Sequence, residues 1–201
     1  MTQAKSAKKS LSLKIALTAI MCALTCSGGF IKIPLPMLDI TLQTFFACMA
    51  GLFLGKKLGP LSQAIYMLLG LMGVPVFSRG GGITYIFQAS FGFILGFILC
   101  AFICGFVRDW LYKDIYLSKI KISDYLKVSL ICLLGILGVY VIGAPYMLSI
   151  LYFYLHQTQA VMISAALSLP MYLLGDIVSL VILILAAPII FKRVPMLLNL
   201  R

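Results

Sequence analysis

Gly73-Val-Pro-Val-Phe-Ser-Arg-Gly-Gly-Gly-Ile-Thr-Tyr-Ile-Phe-Gln-Ala-Ser-Phe-Gly-Phe-Ile-Leu-Gly-Phe97 lies between apolar segments, yet it carries three consecutive glycines, an arginine, a glutamine and several aromatics. A bare linker needs none of these. Gly80, Gly81 and Gly82 let the main chain take positive φ and let a ligand approach it closely, while Arg79, Tyr85, Gln88 and Ser90 offer hydrogen bonds. The stretch is expected to be a loop that folds back over something.

The sequence around it narrows what that something can be. Of 201 residues, 63% are hydrophobic and 10% charged, and the mean hydropathy is +1.13. A soluble domain carries far more charge, so the class is an all-α polytopic membrane protein. Apolar segments recur to the end of the chain, which a secretory signal peptide does not explain. The net charge of +11 sits at the ends of hydrophobic segments rather than in a stripe interleaved with aromatics, which argues against nucleic acid. It is topology information.

Six spans are expected. Residues 1–12 form a polar cytoplasmic tail, and the first span runs from Leu13 to Phe30, with Ala16, Ala19 and Ala23 on one narrow face. Such small-residue faces let another transmembrane helix approach, in the same chain or in a partner. Residues 31–40, with Pro34 and Pro36, are extended. The second span covers Thr41 to Leu58, with Gln43 at its outer end facing either a ligand or interfacial water. Gly55-Lys-Lys-Leu-Gly-Pro60 is a tight turn, and a short third span from Leu61 ends at Val74, before the glycine loop (75–90). The fourth span is Phe91 to Leu111, with Trp110 and Tyr112 at its interfacial edge, and residues 113–123 are polar. The fifth runs from Asp124 to Met147. The apolar region 160–191 is too long for one simple span and is expected to break at Pro170 and Gly175, so that the sixth starts at Gly175. Residues 13–195 thus form a single bundle, followed by a cytoplasmic tail, 196–201. With both termini inside, all but two of the 16 lysines and arginines fall on inner segments, the exceptions being Lys32 and Arg79. That bias sets the orientation and turns the glycine loop outward.

Two groups of side chains invite chemistry. Asp109, Asp114 and Asp124 read as solvated ion pairs at the inner face, but Asp176 is flanked by long apolar runs. A carboxylate there costs several kcal/mol unless it pairs or faces a wet cavity. It is read either as a ligand contact, with Arg79 as a possible cationic partner, or as an N-cap of the last helix. The six cysteines all fall in apolar segments. Cys22/Cys26 and Cys100/Cys104 each share a helix face, yet lack a nearby His or carboxylate, so they read as reduced, small apolar residues and no metal is expected. His156 reads as interfacial. Walker A, Ser-His-Asp and paired-carboxylate patterns are missing from the sequence, so no enzyme and no resident cofactor are expected.

Pro36 to Gly51 (Pro-Met-Leu-Asp-Ile-Thr-Leu-Gln-Thr-Phe-Phe…Ala-Gly), Leu54-Gly55, Gly73-Val-Pro-Val-Phe77, Phe91-Gly-Phe…Gly-Phe97 and Gly175-Asp176 together resemble the BioY family, the membrane-embedded biotin-binding S components of energy-coupling-factor (ECF) transporters. The resemblance implies a six-helix bundle in a prokaryotic plasma membrane with biotin near the outer face. ATP is then used only by a partner ATPase pair, and the Ala16, Ala19, Ala23 face docks on a transmembrane coupling subunit. In this reading Asp176 accepts a ureido N–H of biotin, Gln43 and Ser90 complete the polar end, and Phe77, Tyr85 and Phe87 cover the apolar ring. Arg79 or N–H groups of the loop glycines, Gly81 among them, meet the carboxylate, and Gln88 is a further polar contact. The chain departs from the commonest family pattern at Ala89-Ser-Phe-Gly-Phe93 and at Ser179, where many members have a lysine. An S component for another vitamin, and a membrane scaffold without substrate, are the rival readings.

Overall fold

The computed structural model describes residues 2–35, 38–111 and 121–193, with side chains from residue 11 onward. Pro36, Tyr112, Asp114, most of the polar stretch 113–123 and the tail 196–201 lie outside the described residues. The described residues are helical apart from a short hairpin and connecting loops: α1 Thr2–Phe30, β1 Lys32–Ile33, β2 Ile40–Thr41, α2 Gln43–Leu71, a 3-10 helix Ile83–Phe87, α3 Phe91–Leu111, α4 Ile122–Ser149, a π-helical turn Ile150–Tyr154, and α5 Gln159–Arg193. The expected tail 1–12 is instead the beginning of α1. Its Ala, Lys, Gln and Ser residues are mostly good helix formers with no breaker among them, so the helix continues upstream of its apolar part.

Among the described residues four stretches are long and apolar enough to cross a membrane: Leu11–Phe30, Phe91–Leu111, Ile122–Tyr154 and Gln159–Arg193. Their outward side chains confirm the solvent. Trp110, Leu126, Val141, Leu167, Val178 and Leu185 are all exposed, an apolar surface that water does not tolerate at this extent. This is a membrane protein.

α2 is a helical hairpin. Gly55 sits at φ 79°, ψ −175°, a conformation open essentially only to glycine, and the chain reverses there. Two contacts prove the reversal. Gly59 lies so close to Gly51 that a Cβ on it would stand 2.8 Å from the Gly51 Cα, and the Gln43 side-chain amide donates to the Tyr66 hydroxyl. In a straight helix residues 43 and 66 would be about 35 Å apart. The turn expected at 55–60 is therefore real but compressed into one residue, with Pro60 one turn into the returning arm. Arg108, fully buried, donates to the carbonyls of Leu52 (3.3 Å) and Phe53 (3.1 Å) and pairs with Asp109 at 3.0 Å. It caps the arm that Gly55 ends, satisfying carbonyls that the reversal orphans. The Arg108–Asp109 pair is thus structural rather than solvated. So is Asp124, which is buried and accepts from the Lys121 N–H at 2.9 Å at the start of α4.

The expected break at Pro170 and Gly175 does not occur. α5 runs unbroken for 35 residues through Pro170 and Pro188, because in a packed membrane bundle the lost N–H bond and freed carbonyl are absorbed by local adjustment. Asp176 is consequently a mid-helix residue, and neither the N-cap nor the dipole applies to it. Core packing centres on α3, wedged between α2 and α4 through small residues: a Cβ on Gly51 would meet the Ala101 carbonyl at 2.4 Å, and one on Gly96 the Val139 carbonyl at 2.8 Å. Helices without side-chain bulk at the contact approach closely and gain dispersion energy.

Candidate ligand-binding site

At one end of the bundle the glycine loop does fold back. It packs first on the end of its own helix: the Gly82 N–H donates to the Gly70 carbonyl at 2.7 Å, and a Cβ on Gly81 would strike the Val74 carbonyl at 2.3 Å. Phe77 fills the space left by Gly70 and stands edge-on to Tyr66, with ring centroids 5.5 Å apart, and 4.6 Å from Tyr85. Tyr85 is thereby fixed inward. The described ends of the proline-bearing stretch pair as the hairpin β1–β2, with Lys32 opposite Thr41; Ile40 lies directly on Gly175 of α5.

One ionic cluster latches the two loops together. Arg79 grips Asp39 through Nη2–Oδ1 at 2.9 Å and Nε–Oδ2 at 3.1 Å, and its Nη2 also donates to the Leu35 carbonyl at 2.8 Å. Lys32 stands 3.9 Å from Asp39 and donates to the Ser78 carbonyl. Burial pushes the Asp39 carboxyl up, but hydrogen bonds and charge from Arg79, with Ser78 and Lys32, hold it below its ordinary value; the Asp39 hydrogen bonds raise Arg79 in turn. The partner of Arg79 is therefore Asp39 and not Asp176.

Beneath the latch lies a cavity, about 570 Å³ when the open solvent at its mouth is counted in. Its lining mixes aromatic and polar side chains. Tyr85, Phe93, Phe97 and Tyr172 supply aromatic surface, and Gln43, Thr44, Ser90, Tyr140 and Asp176 supply polar groups. Tyr140 donates to Asp176 Oδ2 at 2.8 Å, and Ser90 donates to the Tyr85 hydroxyl at 3.1 Å. Asp176 is 8% exposed. A carboxylate this deep, held by one tyrosine hydroxyl with Thr44 beside it, retains acceptor capacity for a ligand N–H.

Four of the residues expected at a site meet here: Gln43, Tyr85, Ser90 and Asp176. Phe77, Arg79, Gly81, Phe87 and Gln88 do not line the cavity. Phe77 and Gly81 shape the loop, Arg79 is the latch, and Phe87 is exposed and stacked on Tyr154 at 4.8 Å. The sequence reasoning missed Thr44, Asp39, Tyr140 and Tyr172. Tyr172 carried a signal, being four residues before Asp176 and so on the same helix face; Tyr140 was marked only by being a tyrosine in an aliphatic span. Ala16, Ala19 and Ala23 are all exposed, which excludes their packing inside the described bundle.

A bundle of apolar helices holding a half-polar, half-aromatic cavity under a latched pair of loops has the architecture of a membrane-embedded small-molecule-binding protein. This chain belongs to the BioY family, whose pattern it matches over residues 1–196. Its fold is similar to the crystal structure of the S-component for biotin from an ECF-type ABC transporter, with a TM-score of 0.67 at 24% identity over 93% of this chain and 94% of that one. The probable biotin transporter BioY of Lysinibacillus sphaericus is 47% identical over 88 residues, 44% of this chain and 45% of that protein. The Pyrococcus horikoshii protein of the same description is 43% identical over 83 residues, 41% and 51% of the respective chains. Each aligned segment spans about half the length of its relative.

Proposed function

We propose that this chain is the biotin-binding S component of an ECF-type importer in a prokaryotic plasma membrane. The observation that carries it is the Asp176–Tyr140 pair in a cavity lined by both polar and aromatic side chains. Biotin's ureido ring brings N–H donors to a carboxylate, with Gln43 and Ser90 able to bond the rest of that polar end, while its thioether ring and alkyl tail need apolar cover such as Tyr85, Phe93 and Phe97. The ligand carboxylate goes to the mouth, where Arg79, Lys32 and backbone N–H groups are the donors at hand; the aspartate already seated on Arg79 has to share it.

Counting the two arms of α2 separately gives six crossings, with both termini on the side rich in lysine and arginine and the latched loops outside. The exposed Ala16, Ala19, Ala23 face supports docking on a coupling subunit whose ATPase partners supply the energy, so the chain itself is not an enzyme. Calorimetric titration of the purified protein with biotin, using thiamine, riboflavin and desthiobiotin as comparators, tests the reading. Tight one-to-one binding of biotin is expected; binding of another vitamin alone would overturn the substrate and keep the scaffold.

A further inference from the structure

Four of the six cysteines, separated by up to 84 positions in sequence and carried on three helices, converge in the core. The Sγ atoms of Cys48 on α2 and of Cys100 and Cys104 on α3 all lie within 4.8 Å of one another, with Cys48 and Cys100 at 3.4 Å. Cys132 on α4 lines a small void together with Cys48 but lies outside the group of sulfurs within 4.8 Å of one another. All four are buried. Helix α4 also makes room for the sulfurs: at Gly135 a Cβ would stand 2.3 Å from Cys104 Sγ and 3.1 Å from Cys100 Sγ. Two separate helical pairs of cysteines are all that spacing along the chain reveals; the convergence is tertiary.

We propose that Cys48, Cys100 and Cys104 form a binding site for one soft, thiophilic metal ion. The donor set is all sulfur, which selects d¹⁰ ions of the Zn(II), Cd(II) or Cu(I) type over hard cations. A metal–sulfur bond of about 2.3 Å places sulfurs about 3.8–4.0 Å apart around a tetrahedral or trigonal ion, within the spread observed, so side-chain rotations suffice to close the site. Charge balance sets the protonation. A divalent ion that displaces two thiol protons to solvent is charge-neutral with its two thiolates, and a third thiolate leaves the site one net negative charge, because the thiolate and not the thiol is the metal ligand. A small void lined by Thr44, Asp176, Cys48, Cys132 and Ser179 adjoins the ligand cavity, with Thr44 and Asp176 bordering both spaces. The ion would tie α2 and α3 together.

The test is a Cd(II) titration of the full chain, purified in detergent with a phosphine reductant, in a Cys22→Ser/Cys26→Ser background that removes the remaining pair. A thiolate-to-cadmium charge-transfer band saturating at one ion per chain is expected, with the thermal transition rising as the ion binds. Cys48→Ser and Cys100→Ser each weaken binding at least tenfold; Cys48→Ala and Cys100→Ala repeat the comparison should a serine variant fold poorly, judged by its metal-free melting. Absence of the band in the background protein, or its survival in the Cys48/Cys100 double variant, overturns the site.

Discussion

Under the proposed function, ligand recognition turns on Asp176. Asp176→Asn removes a charge-assisted acceptor and presents an N–H₂ toward ligand donors. The expected loss is about 1.5–3 kcal/mol, tenfold to a hundredfold in biotin affinity, read by calorimetry, and an unchanged affinity would remove this residue from the site. Asp39 controls the lid. Its carboxyl is held below its ordinary value in the folded protein, so the latch contributes fully above the unfolded-state carboxylate pKa, about 3.9, and is lost only as pH falls through the lower folded value. Protection of amides in residues 72–90, relative to their intrinsic exchange rates, should hold from pH 7 to pH 5 and fall below about pH 4; Asp39→Asn should lower it at pH 7. The depth of Asp176 was legible in sequence, because a carboxylate amid apolar runs needs a reason. Its partner was not, because Tyr140 lies 36 residues away on another helix.

The elements show where local chemistry speaks and where it is overruled. Gly-Lys-Lys-Leu-Gly-Pro at 55–60 announced a reversal, and Gly55 makes it in a single residue. Gly55→Ala should cost about 1–3 kcal/mol from backbone strain alone. Arg108→Leu, which strips two carbonyls and Asp109 of their partner, should cost about 3–5 kcal/mol; thermal unfolding in detergent measures both, and a change near zero for Gly55→Ala would mean that the hairpin tolerates another turn geometry. Pro170 and Gly175 gave an equally strong local signal and were overruled. Proline breaks a helix whose freed carbonyl can find water, whereas a helix in apolar surroundings keeps the rest of its ladder because leaving it costs more.

For the whole molecule the decisive feature is that α1 turns its small residues away from its own bundle. Ala19→Leu with Ala23→Leu should leave biotin affinity unchanged, since neither lines the cavity, and should abolish co-purification with the coupling subunit; retained co-purification would put docking elsewhere. Composition alone determined the membrane class and the helical content, because a chain that is 63% hydrophobic and 10% charged has no other stable solvent and in that solvent must close its backbone bonds within each helix. Charge placement supplied the expected orientation, and the family's motifs named the loop and the aspartate. Only the tertiary structure decided that Asp39 takes Arg79, that Tyr140 and Thr44 join Asp176, that the alanine face is exposed, and that four thiols share one core. Each of these is a meeting of residues from different elements, set by which helix faces pack together, and helical periodicity within one segment carries no information about its neighbour's face.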